Sequence, residues 1–171
     1  KTNTPFLYSM HTSLSRRLVL SLGIASILPF TPAASAALTF TGVAAGDASS
    51  TNITLWTRAV DSVLPANTAL TIEITPDATF TTGVVTASGT TDTTKDNTCK
   101  VDLTGLTPNT VYYYRFIGPA SEVSMVGKFK TAPTAAAAAP LHFAFSGDND
   151  GLMRPYALAS IFPSLNLDFY I

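Results

Sequence analysis

Charged side chains are scarce in this chain: Asp, Glu, Lys and Arg make up 12% of its 171 residues, about half of the roughly 25% usual in globular domains. Ten basic and eleven acidic residues nearly cancel to a net charge of −1. No field gathers nucleic acid or anionic lipid, and neither is expected as a partner. Cysteine occurs once, at Cys99, which excludes an intramolecular disulfide. Its flanks, Thr98 and Lys100-Val101, alternate as a strand does, so the thiol reads as a half-buried structural group. The longest apolar run, Leu18 to Leu28, falls short of the ~20 residues a membrane-spanning helix needs. Thr, Ala and Ser take the place of charge, the profile of a secreted β-rich domain with a hydroxylated solvent face.

The first 36 residues read as a leader. From Met10 the chain has a basic start, the apolar core Leu18 to Leu28, and small residues around Ala34-Ser35-Ala36, which is a signal peptide with cleavage expected after Ala36. The adjacent Arg16 and Arg17 ahead of that core resemble the twin-arginine export signal, the alternative being Sec export. Residues 1–9 read as upstream translation or a longer leader.

Beyond the leader, short segments alternate apolar and polar with period two: Ile53 to Thr57, Leu70 to Ile74, Cys99 to Leu103 and Val111 to Ile117. Turn-rich stretches separate them, and short strands at even spacing predict a β-sandwich over 38–133. Within Gly105 to Phe116, Pro108-Asn109 turns the chain and Tyr112 sits where its hydroxyl can bond back to the turn backbone as a tyrosine corner does. With Trp56 as a core plug, the region resembles a fibronectin type III module. Tyr112 and Tyr114 share one strand face and Tyr113 takes the other, which opposes a stacking platform of three tyrosines. Residues 134–140, an alanine run bracketed by Pro133 and Pro140, form a linker too short to be a stable helix.

After the linker, Leu141 to Phe145 runs into Ser146-Gly147-Asp148-Asn149-Asp150-Gly151. A buried strand delivering an Asp onto a Gly-flanked turn is one way hydrolases present a metal ligand, and the same residues also suit an ordinary loop. Asp148 is the candidate ligand. Asp150 is a weaker one that also fits a turn former, and Asp168 reads as a structural strand residue.

In order, Phe40 to Asp47, Leu55 to Arg58, Gly105 to Phe116, Val126 to Pro133 and Leu141 to Gly151 resemble the N-terminal part of PhoD-type alkaline phosphatases. The resemblance implies a mainly β chain: a fibronectin type III-like sandwich followed by the first β-α-β of an α/β metallophosphatase domain over 141–171, truncated before its active site. Pro155 to Phe162 would be the helix and Leu165 to Ile171 the second strand. It also implies an exported phosphatase or phosphodiesterase acting on phosphate esters with divalent or trivalent metal ions. The family's Ser-Cys pair is absent, since Gly147-Asp148 follows Ser146, so iron, calcium, manganese and zinc all remain open as the metal. One candidate ligand cannot hold such a centre, and the chain by itself is expected to lack both metal and catalysis. The rival reading is a secreted fibronectin-like binding or adhesion module.

Overall fold

The computed structural model describes residues 38–62, 66–147, 150–154, 156, 161–162 and 164–171. Arg16, Arg17 and the rest of the leader lie outside the described residues, as do Asp148, Pro155 and residues 157–160 of the expected helix.

Seven strands build two antiparallel sheets: β1 (Leu38–Gly46), β2 (Ile53–Asp61), β3 (Ala69–Thr75), β4 (Val85–Thr90), β5 (Thr98–Leu103), β6 (Val111–Ile117) and β7 (Gly127–Lys130). One sheet has the order β1-β2-β5 and the other β4-β3-β6-β7. The chain therefore makes a hairpin in the first sheet and a hairpin in the second, and then returns to place β5 beside β2 and β6 beside β3. Alternation selects the core. Ile53 and Leu55 of β2, Leu70, Ile72 and Ile74 of β3, and Tyr112, Tyr114 and Phe116 of β6 meet in one buried cluster. Among the described residues no α-helix occurs and no helix is long and apolar enough to cross a membrane.

The first strand changes parity partway along. Leu38 and Phe40 contact the core, and so do Val43 and Ala45, which a regular strand cannot achieve because even and odd positions face opposite ways. A bulge between Phe40 and Gly42 absorbs the shift in the pairing with β2, the extra residue turning the strand by one position. The carbonyl of Gly42 then accepts the Thr57 hydroxyl at 2.7 Å. Thr57 is wholly buried, and that bond removes the cost of hiding a hydroxyl.

Other threonines work the same way. The buried Thr75 hydroxyl donates to the Thr82 carbonyl at 2.6 Å, Thr91 Oγ1 accepts from the Thr68 amide at 2.8 Å, and Thr131 Oγ1 donates to the Thr107 carbonyl at 2.7 Å. The hydroxyl-rich composition thus serves the interior of the sandwich as well as its solvent face. Tyr112 completes the turn before β6, its hydroxyl oxygen accepting the Thr107 N–H at 3.0 Å, while its ring stacks on Phe129 with centroids 5.5 Å apart.

Two expectations are corrected. Trp56 is not a core plug. Ile53, Leu55, Thr57 and Ala59 take the inward positions of β2 and are buried, so Trp56 must leave on the outer face, half-buried beside its cross-strand partners Ala44 and Lys100. Cys99 is fully rather than half-buried, with 1% of its surface exposed. Gly89 of β4 closes over it so tightly that a Cβ there would lie 2.5 Å from the Cys99 sulfur. Burial raises the pKa of this thiol, consistent with an inert group.

Opposite faces of β2 carry opposite mutational costs. Leu55→Ala is expected to lose about 3 kcal/mol in urea unfolding, as for a fully packed leucine, and Trp56→Ala about 1 kcal/mol. Tyr112→Phe, which strands the Thr107 amide, should lose about 1 kcal/mol with the m-value unchanged.

Candidate functional site

Past the linker the chain forms two very short strands, β8 (Phe143–Ala144) and β9 (Phe169–Tyr170), paired in parallel. Parallel strands cannot be joined by a tight turn, so the intervening chain must cross over between them. The pairing is parallel, as a β-α-β needs, but each strand is two residues long where Leu141 to Phe145 and Leu165 to Ile171 were expected. Tyr156 is not helical and Ile161 and Phe162 form a 3-10 turn, so no α/β region is evident among the described residues. Beyond the ladder itself, backbone bonds at its ends tie the pair: the Asp168 amide to the His142 carbonyl at 2.7 Å, the Ile171 amide to the Ala144 carbonyl at 3.0 Å, and the Ser146 amide to the Ile171 carbonyl at 3.0 Å. The Phe143 and Phe169 rings stack with centroids 5.2 Å apart, and the Tyr170 hydroxyl donates to the Ser146 hydroxyl. These contacts fix the strand end that leads through Gly147 toward Asp148.

The other two carboxylates of this region are hydrogen-bonded, Asp150 within its own turn and Asp168 to residues distant in sequence. Asp150 caps a short 3-10 turn over Gly151–Met153, its Oδ1 accepting the Leu152 amide at 2.9 Å. Asp168 accepts from the Lys130 ammonium at 2.8 Å through Oδ1 and from the His142 amide at 2.9 Å through Oδ2. The Lys130 hydrogen bond, followed by the His142 amide, holds its pKa below the usual carboxylate value. Among the described residues no three His, Cys, Asp or Glu side chains are gathered to hold a metal ion.

A strongly perturbed carboxylate lies elsewhere. Asp77, in the loop after β3, accepts from the Thr79, Thr81 and Thr82 amides and from all three of their hydroxyls. The hydroxyls of Thr79 and Thr81 do most to drive its pKa far down. The group folds its own loop and has the chemistry of a turn rather than of a reaction centre.

The family description "PhoD-like phosphatase, N-terminal domain" matches residues 24–133. The chain belongs to the PhoD-like phosphatase family. A solved structure of PhoD is 31% identical and superposes with a TM-score of 0.69, the match covering 75% of this chain and 26% of that one. The chain thus spans about a quarter of the length of that PhoD structure. The sensor domain of the anti-sigma factor RsgI4 from Pseudobacteroides cellulosolvens is 14% identical, with a TM-score of 0.46 over 59% of this chain and 99% of the other. The fn3 domain of human contactin 1 is 13% identical, with a TM-score of 0.42 over 59% and 82%. A search of curated proteins returned no match.

In this PhoD-like chain the sequence missed the partnership of Lys130 with Asp168. The two are 38 residues apart and no local pattern joins them. A carboxylate with a depressed pKa contributes stability above its unfolded pKa, and loses that contribution as pH falls through the lower, folded value. Asp168→Asn should therefore remove part of the acid-side loss of protection at the His142 and Ile171 amides, measured by hydrogen exchange between pH 6 and pH 3. The amides of β3 and β6 should show no such difference between variant and parent.

Proposed function

We propose that this chain is the N-terminal part of an exported, metal-dependent hydrolase of phosphate esters, a phosphomonoesterase or phosphodiesterase. The observation that carries the reading is the family match over 24–133, followed in the chain by a parallel strand pair whose first member leads to Ser146-Gly147-Asp148. Asp148 is proposed as a metal ligand, with iron, calcium, manganese or zinc as the ion. Its partners are proposed to come from the remainder of a longer protein, because a single carboxylate at a strand end binds metal weakly until others converge on the same ion. The sandwich contributes no reacting group in this reading and acts as the body to which the hydrolase domain is attached.

Export is proposed to run through Arg16 and Arg17 as a twin-arginine signal, delivering the protein to the periplasm, cell wall or medium. Replacing both with lysine should abolish export of the folded protein and leave a Sec-dependent reporter unaffected. Normal export of that variant would reduce the leader to a general signal peptide.

Catalysis is tested on the longer protein with a chromogenic phosphomonoester and phosphodiester. Asp148→Asn should lower bound metal and turnover by at least the roughly 10–100-fold that loss of an outer-shell partner costs. Asp150→Asn should change both little, since asparagine caps a turn as well as aspartate. Residues 1–171 alone should hydrolyse neither ester above background. Hydrolysis by residues 1–171 alone, or full metal and full rate in Asp148→Asn, would overturn the assignment.

A further inference from the structure

We infer that Lys128 and Lys130 of β7 form a two-rung latch, closing on Asn166 and Asp168, that holds the β8–β9 pair against the edge of the sandwich. The Lys128 ammonium donates to Asn166 Oδ1 at 3.2 Å and the Lys130 ammonium to Asp168 Oδ1 at 2.8 Å. The spacing matches on both sides: two lysines two residues apart on β7 meet two acceptors two residues apart ahead of β9.

The direction of the lysines is set inside the sandwich. Phe129 lies between them, is 7% exposed and packs on Tyr112 and Tyr114. Once it faces inward, both neighbours must face outward. Gly127 pins the register from the other end, because a Cβ there would lie 2.2 Å from the Tyr114 ring. A one-residue slip would bury both ammonium groups and expose the phenylalanine.

Apolar burial at the junction is limited. Phe143, Leu165 and Phe169 remain 52%, 45% and 43% exposed, Leu167 is half-buried, and the rungs themselves line an open cleft of about 290 Å³ between the two parts, together with Val111, Phe129, Pro140, His142 and Leu167. The polar rungs are the directional contacts between the two parts. Asp168 is the central group, since its second oxygen accepts the His142 amide at the start of β8 and so couples β7, β8 and β9 through one carboxylate. Charge-assisted bonds of this kind are directional, and with side chains 27% and 16% exposed this ion pair is only partly screened. The latch sets the orientation of the strand pair without locking it into a shared core. This inference stands on geometry alone and does not depend on the reaction proposed above.

The test is hydrogen exchange on the 171-residue chain at neutral pH, comparing the parent with Lys130→Met, Lys130→Arg and Lys128→Met. Lys130→Met should speed exchange at His142, Ser146, Asp168 and Ile171 by about tenfold or more, and Lys128→Met by less. The Ile72 and Phe116 amides in the core should stay within about twofold. Lys130→Arg, which keeps the charge, should restore most of the protection. Unchanged exchange in Lys130→Met, equal loss in Lys130→Met and Lys130→Arg, or loss spread evenly into the core would each overturn the latch.

Discussion

Successive side chains of an extended strand leave on opposite faces, and every later feature of this molecule inherits that constraint. On β2 it buries Leu55 and sends Trp56 outward. On β6 it places Tyr112, Tyr114 and Phe116 together in the core and leaves Tyr113 on the other side. On β7 it turns Lys128 and Lys130 away from the core because Phe129 is in it. Where the sequence breaks the alternation, between Phe40 and Val43, the backbone yields instead and inserts a bulge. The core therefore decides indirectly which polar groups are offered to the rest of the chain.

A chain so poor in charge uses its ion pairs at joints. Arg58 with Asp96 ties β2 to the turn before β5, and Arg115 with Glu73 ties β6 to β3. Arg115 also lies over the Phe80 ring at 4.3 Å, holding the loop that Asp77 organises. The Arg58–Asp96 pair, with Asp96 74% exposed, contributes little to stability, whereas the part-buried Arg115–Glu73 pair joins directly opposed positions of the two central strands. The apolar cluster supplies most of the stability. Hydroxyls do inside the sandwich what charge cannot do cheaply, because a buried threonine with one good acceptor carries no ionic desolvation cost.

The chain belongs to the PhoD-like phosphatase family through a match that covers the sandwich. Fold and function are separable, and the described part of this chain shows why: its perturbed carboxylates, Asp77, Asp92, Asp96 and Asp168 among them, are held by threonines, amides, Arg58 or lysines in structural roles. The reactive end of the proposal rests on the strand end that β8 and β9 present. Its orientation is a matter of how that pair is fastened.

The sequence by itself determined what depends on neighbours a few residues apart. The four strands at 53–57, 70–74, 99–103 and 111–117 were legible from alternation, and the Tyr112 corner from a turn and a tyrosine at fixed spacing. The family was legible from the order of several weak motifs. What escaped was whatever needs a partner across the fold. Val85 to Thr90 is a largely exposed edge strand with little apolar contrast, so its alternation says almost nothing. The inward or outward sense of Trp56 depends on which parity the opposite sheet buries. Cys99 is sealed by Gly89 from a strand the sequence did not reveal. The latch joins Lys130 to Asp168 across 38 residues. Local patterns fix which residues can share a face, but only packing of the two sheets decides which face is inside, and only then do distant polar groups find one another.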